Sequence, residues 1–222
     1  MAQRIQQLHQ TLPPSVRLIA VSKTYSADHI RAAYAAGQRD FGENRVQEAS
    51  AKQAQLSDLQ DITWHLIGQL QSNKARKAIE LFDWIHSVDS LKLAERLDRL
   101  AGDLHRQPKI CFQVKHRPDP SKTGLLPPEL TSEVTRICEL KHIRVEGLMT
   151  IPPLATNDLE KLHIFEENRN LAEALATEAK RLGCINMSMK QLSMGMSGDY
   201  SLALQAGSTA VRLGQTIFGT RG

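Results

Sequence analysis

The sequence predicts an α/β fold in which eight parallel strands close into a TIM-type (β/α)8 barrel. Three observations carry that expectation. Strand-like runs alternate with helix-like stretches along the whole chain, as in repeated βα units. Eight such runs occur, over 17–23, 39–44, 62–68, 84–89, 109–115, 143–150, 191–195 and 210–215, and 222 residues suit a barrel of eight units. The Gly-x-Gly-x-x-Gly turn that follows the first strand of a doubly wound dinucleotide-binding sheet is missing; Lys23 stands there instead.

Each element has a local reason. Residues 1–11 are polar and amphipathic, with Ile5 and Leu8 among glutamines, which does not fit a secretion signal. Leu18-Ile19-Ala20-Val21 is a short, branched apolar run of strand length. Ser26 is placed to cap a helix carrying Ile30, Ala33 and Tyr34, which stops at Gly37. After the third strand, Lys74, Arg76 and Lys77 behind Ser72-Asn73 read as one solvated face of a capped helix. After Asp89 and Ser90, the leucines 93, 97, 100 and 104 recur at helical spacing. Pro127-Pro128 and Pro152-Pro153 each fall between a strand and the next helix, where they shape loops or start helices. Leu171, Leu175 and Leu182 form another apolar stripe, terminated at Gly183. No linker rich in Pro, Gly or Ser divides the chain, so residues 1–222 are expected to form one domain.

Composition bounds the function. The hydrophobic fraction of 41% supports a sizeable core, and with 5% aromatic residues that core should be aliphatic. A net charge of +4, spread over the chain, argues weakly against a nucleic-acid-binding tail. No apolar stretch approaches membrane-spanning length, so a cytoplasmic protein is expected. Cys111, Cys138 and Cys184 are odd in number and lack metal-ligand spacing; they read as buried thiols in a reducing compartment.

In a barrel of this kind the active site lies at the carboxyl ends of the strands. Lys23 ends the first strand, where desolvation would lower its pKa and expose the lone pair that carbonyl chemistry needs. Asn44 ends the second, and Thr150 follows Met149 at the end of the sixth. Ser193 and Ser197 lie in the seventh strand segment and after it, while Arg212, Gly214 and Gln215 lie in the eighth. Small residues and hydroxyls at these last two strands suit a phosphate. Either segment alone could equally be a tight turn that needs glycine. Lysine, phosphate donors and a lone arginine together suggest pyridoxal 5′-phosphate (PLP), with no metal. Lys115 shares a strand face with Gln113 and Cys111 and could point into the barrel mouth, although a solvated amine at the rim is the simpler reading. His65 reads as a hydrogen-bonded structural histidine at least as readily as a neighbour of the cofactor.

The segments IAVSKT, FGENRVQEA, WHLIGQLQSNK, SKTGL, EGLMTIPP, LSMGMSGDY and VRLGQTIFG closely resemble the pyridoxal phosphate homeostasis proteins, in order, from about residue 15 to the end. The resemblance implies an alanine racemase-type barrel with Lys23 as the Schiff-base lysine. It places Asn44 and Met149 beside the cofactor ring, Ser193, Ser197, Gly214 and Gln215 at the phosphate, and Arg212 at the ring nitrogen. The chain departs from the family's pattern at Gln69, where proline is frequent, and at Lys115, where asparagine is frequent.

Three functions are then open. A carrier would buffer PLP, pass it to PLP-dependent apoenzymes and act indirectly on amino-acid and keto-acid pools. A racemase would need an acid/base on each face of the substrate carbon, the second supplied by a further domain that is not expected here; its absence also favours a monomer. A phosphosugar enzyme would use Lys23 as an aldolase-type base. Arginine opposite the ring nitrogen weakens the cofactor as an electron sink and so favours the carrier, without substantial turnover.

Overall fold

The computed structural model describes residues 1–219. The amphipathic start forms α1 (Ala2–Thr11), which buries Ile5 and Leu8. Strand and helix then alternate: β1 (Arg17–Val21), α2 (Ala27–Ala35), β2 (Asp40–Glu43), α3 (Val46–Gln55) and β3 (Thr63–Leu66). A single 3-10 turn over Ser72–Lys74 leads into α4 (Ala75–Leu81), followed by β4 (Trp84–Val88), α5 (Leu91–Asp103) and β5 (Lys109–Gln113). Two short helices, α6 (Pro127–Ser132) and α7 (Val134–Cys138), precede β6 (Arg144–Met149) and the long α8 (Asp158–Arg181). The described chain ends with β7 (Met187–Met196), α9 (Tyr200–Gln205), β8 (Ala210–Leu213) and α10 (Gln215–Phe218).

Each strand pairs in parallel with the next and β8 returns to β1, so the eight strands form the expected closed barrel. The closing seam aligns Arg17 with Ala210, Ile19 with Arg212 and Ala20 with Leu213. Among the described residues, closure leaves the barrel no free strand edge to pair with another chain.

Strand residues alternate between two environments. Leu18 and Ala20 of β1, Leu66 of β3, Ile85 of β4 and Val211 of β8 join one large core with Ile30, Ile79, Leu97 and Leu175 from the helices. That core is mainly aliphatic, as composition indicates. The intervening positions face the barrel interior. There Trp84, Cys111 and Met149 make a separate small cluster, and His65, His86, Ser193 and Arg212 are buried with them. A polar column inside the barrel is not what the hydrophobic pattern leads one to expect.

The helix ends follow their local chemistry with some differences. Ser90 caps α5 by accepting from the Leu93 N–H at 3.3 Å, and the α5 stripe of Leu93, Leu97 and Leu100 is buried. Ser26 does sit at the start of α2, but its hydroxyl pairs with Nδ1 of His29 at 2.9 Å rather than with a backbone N–H. On α8 the buried stripe runs through Phe165, Asn168, Ala172, Leu175 and Ala179; Leu182 lies past the helix end and is exposed. The expected Leu171–Leu175–Leu182 stripe is thus displaced by one face, because 171 and 182 flank the buried line rather than lie on it.

The cysteine reading needs correction. Cys138 and Cys184 form a disulfide, with Cα atoms 5.1 Å apart, and only Cys111 is a free, buried thiol. The bridge joins the end of α7 to the turn just beyond α8, two helix ends that meet only in the folded barrel. Among the described residues, no helix is long and apolar enough to cross a membrane.

Candidate functional site

A cavity of about 340 Å³ opens at the carboxyl ends of β1, β2, β7 and β8. Its walls include Lys23, Asn44, Ser197, Arg212, Gly214 and Gln215, and that volume is within the usual range for small-molecule sites.

Lys23 lies two residues beyond β1, in a turn held rigid on both sides. The ammonium of the buried Lys52 on α3 donates to the Ser22 carbonyl at 2.8 Å, to Glu43 Oε1 at 2.7 Å and to Glu48 Oε1 at 2.7 Å. Ser22 donates its hydroxyl to Glu43 at 2.7 Å, and the Thr24 N–H donates to Glu48 at 2.6 Å. Thr24 is held at φ +70°, a conformation a threonine adopts only when its surroundings impose it. Both neighbours of Lys23 are therefore clamped by one ion cluster built from β2 and α3. Burial pushes the Glu43 carboxyl up from its ordinary pKa, against the pull of Lys52 and Ser22. Glu48 is held low by Lys52 and by the Thr24 N–H, which together outweigh the opposing effect of its own partial burial.

Asn44, one residue past β2, owes its place to Gly68. A Cβ on Gly68 would come within 2.3 Å of the Asn44 carbonyl oxygen, so only glycine lets the β3 loop pack this closely. On the opposite wall, Tyr25 stacks on Phe218 at 4.6 Å and donates its hydroxyl to the Gly219 carbonyl at 3.0 Å. These contacts fasten α10 to the cavity.

The last two strands supply small polar groups. β7 is irregular between Ser193 and Met196, and Gly195 sits in the bend at φ +96° with Tyr200 and Ala203 close behind it. The bend brings Ser197 to the cavity wall, where its hydroxyl accepts from the Thr216 N–H at 3.4 Å. Gly214 opens α10, and its carbonyl accepts from the Ile217 and Phe218 N–H groups at 3.0 and 2.9 Å.

Arg212 forms the floor. Its Nη1 donates to the Ser193 carbonyl at 2.5 Å and to the Ser193 hydroxyl at 2.7 Å, and Nη2 donates to the Thr150 carbonyl at 3.2 Å. Burial lowers the guanidinium pKa to about 10, which leaves it a cation at neutral pH. Behind it, Nδ1 of His86 lies 2.8 Å from Ser193 Oγ, Nε2 of His86 2.9 Å from Nδ1 of His65, and Nε2 of His65 2.9 Å from Asp40 Oδ1.

Six of the eight residues expected at the site line the cavity, and two do not. Met149 stands one layer deeper, packed on Trp84 and Cys111 beneath Ile151. Ser193 is fully buried and bonded to Arg212 and His86, so its hydroxyl is already engaged. Lys115 lies apart, in a neighbouring crevice with His116, Asp119 and Lys122, and Lys74 lines another with Arg45 and Gln71. Sequence reasoning missed Tyr25, Ile67, Ile151 and Met196 on the cavity wall, and it missed His86 and Asp40 behind it. The available signal was strand parity alone: His86 shares a face with Trp84, and His65 alternates with Trp64 and Leu66.

Comparison with known proteins agrees with this architecture. The profile of the alanine racemase N-terminal domain matches residues 1–222. A pyridoxal phosphate homeostasis protein of Synechocystis is 48% identical over 95% of this chain and 94% of its own. The chain belongs to the pyridoxal phosphate homeostasis protein family. The family relative of Escherichia coli is 41% identical over 94% of this chain and 87% of its own. Among solved structures, PipY of Synechococcus elongatus without PLP superposes with a TM-score of 0.94 at 54% identity, covering 98% of this chain and 99% of PipY. PipY with PLP bound gives 0.93 at 53% identity, with the same coverage. Alanine racemase of Clostridium difficile, at 16% identity and a TM-score of 0.70 over 99% of this chain and 55% of its own, shares the fold.

Proposed function

We propose that this protein binds PLP in the cavity at the carboxyl end of the barrel and acts in intracellular PLP homeostasis, holding and delivering the cofactor without substantial turnover. The observation that carries this reading is that Lys23 and Arg212, from the paired strands β1 and β8, share one small cavity that also presents Ser197, Gly214 and Gln215. The donor set suits the group: an amine for an aldehyde, a cation for a ring nitrogen, and hydroxyl and backbone N–H groups for a phosphate. The PLP-bound structure of PipY, at 53% identity, supports it.

In this reading Lys23 holds the cofactor as a Schiff base, and the clamp of Ser22, Thr24, Glu43, Glu48 and Lys52 keeps the amine on station. Asn44, Tyr25, Ile67 and Ile151 enclose the ring. Ser197, Gly214 and Gln215 hold the phosphate, with Ser193 and Met149 supporting from behind. When bound, PLP supplies an electron-withdrawing ring. Arg212, a cation that donates to the ring nitrogen, disfavours protonation there and blunts that pull. This favours a carrier over a racemase. The reading extends to a monomeric cytoplasmic protein whose recipients are PLP-dependent apoenzymes.

The test is borohydride reduction of the PLP-loaded protein followed by mass mapping. Label on Lys23, with loss of the visible band in Lys23→Ala, is expected. Label on Lys115 or Lys74 instead would refute the assignment. Pyridoxal should bind far more weakly than PLP, and Ser197→Ala should narrow the gap, since each charge-assisted hydrogen bond is worth about 1.5–3 kcal/mol. Equal affinity for both would remove the phosphate site. Exchange of amino-acid α-protons in heavy water should run no faster than with free PLP.

A further inference from the structure

Inside the barrel a line of hydrogen bonds runs from Arg212 to Asp40, at the opposite end. Its direction follows from the Asp40 end, where a carboxylate oxygen accepts from His65 Nε2, and from the neutrality of both rings, each of which then has one donor and one acceptor nitrogen. A guanidinium has donors only, so Ser193 Oγ accepts from Arg212 Nη1 at 2.7 Å. Ser193 keeps its own proton for His86 Nδ1, 2.8 Å away, when that nitrogen is the acceptor. A neutral His86 must carry its proton on Nε2 and donate to His65 Nδ1 at 2.9 Å. His65, neutral in turn, carries its proton on Nε2 and donates to Asp40 Oδ1 at 2.9 Å. Arg17 Nε lies 3.5 Å from the same carboxylate oxygen.

We propose that Asp40, His65, His86 and Ser193 form a one-directional hydrogen-bond chain that positions Arg212 toward the cofactor and offsets the burial of its charge, with the two histidines as positioning residues for PLP binding. The role toward the cofactor rests on the PLP reading above; the chain's direction does not.

The surroundings support neutral rings in the stated tautomers. Both histidines are buried, and burial holds both below their ordinary pKa, His86 well below it. The charged groups facing His65 are Asp40, Asp83 and Arg17, and the carboxylates do not overcome burial. His86 faces Arg17 and Arg212, both of which oppose its protonation. Arg212 faces Asp199 and Cys111, whose thiol burial pushes far up and keeps neutral. Trp84 stacks on His65 with centroids 5.9 Å apart and fixes the plane of that ring. Three groups, each with one polarity, thus link a buried cation to a partly exposed carboxylate, and aligned bonds of this kind strengthen one another.

The experiment has two arms. Long-range proton–nitrogen NMR of the PLP-free protein reads both tautomers. Expected are two neutral rings, each protonated on Nε2, from pH 8 to pH 6. A charged ring or an Nδ1-protonated tautomer at either position would overturn the chain. The second arm titrates PLP into His86→Leu, His86→Gln and Asp40→Asn, reading Kd and the visible absorbance maximum, with circular dichroism to confirm folding. His86→Leu should weaken PLP binding about tenfold and shift the maximum, and His86→Gln should recover part of both. Asp40→Asn keeps an acceptor but removes the charge, so it should fall between; it also carries the test if His86→Leu fails to fold. Unchanged affinity and spectrum in the variants would overturn the role toward the cofactor. If the unmodified protein binds no PLP, the cofactor reading itself fails, and the NMR arm still decides the chain's direction.

Discussion

Lys52 shows how much rests on single side chains. Its ammonium is nearly buried against a Glu43 carboxylate that is wholly so, and it also ties down Ser22 and Glu48. Lys52→Met would strand that carboxylate, and breaking a buried pair from one side costs about 3–5 kcal/mol. We expect the unfolding free energy from urea denaturation to fall by that amount, read as a lower midpoint at constant m-value, and Lys52→Met/Glu43→Leu to recover much of the loss. A double variant no more stable than the single one would show that the cluster acts through something other than charge. At this scale the site was partly legible. Lys23, Asn44 and Arg212 lie at or just beyond the carboxyl ends of β1, β2 and β8, which share one rim of the barrel, so their convergence follows from topology. Ser193 and Ser197 could not be ranked from sequence. Which serine reaches the cavity depends on the bend at Gly195 and the irregular pairing of β7 with β8, and neither has a period to read.

Among the elements, the strands were the most legible, because short branched runs bounded by helix caps leave little choice of secondary structure. Their ends were less so: β7 begins at Met187, four residues before the expected 191, and Lys23 and Lys115 lie beyond their strands. The pairing of Cys138 with Cys184 was invisible, since nothing local says that α7 ends beside the C-terminal turn of α8. That bridge constrains a loop between residues 46 positions apart, so its loss should lower stability by about 2–4 kcal/mol. Chemical denaturation of Cys138→Ser/Cys184→Ser, with and without reductant, checks this. A variant as stable as the oxidised parent would mean that helix packing already supplies the constraint.

For the molecule as a whole, the polar column ties stability to pH. Unfolded histidines titrate near 6.5, whereas His65 and His86 are held below that value in the folded barrel. As pH falls through about 6.5 the unfolded chain takes up protons that the native rings refuse, so stability falls. The slope is at most about 1.4 kcal/mol per pH unit for each ring. Glu43, displaced upward by burial, acts with the opposite sign, and Glu43→Gln in parallel separates its contribution from that of the rings. Burial holds His116 below its ordinary value as well, so urea denaturation from about pH 7.5 to about pH 5.5 should show the decline and His65→Gln should remove only about a third of it; a flat profile in the parent would mean that the rings are accessible to protons. The barrel itself followed from alternation and length, but its polar interior did not. Hydrophobic periodicity distinguishes buried from exposed positions and says nothing of which buried positions face inward.

The seam between β1 and β8 has a consequence for how the protein is made. Lys23 comes from the first strand and Arg212 from the last, and Arg4 of α1 donates to the Ile217 carbonyl of α10 at 3.1 Å. The two halves of the cavity are therefore translated with the first and the last strand of the barrel. Contacts this distant along the chain form late, after most loop-closure entropy has been overcome. A nascent chain still on the ribosome has no place for a ligand until the eighth strand has emerged and locked onto the first. Occupancy of the cavity would then mark a finished barrel, and a soluble cofactor pool would act on this protein as a post-translational ligand rather than as a template for its folding.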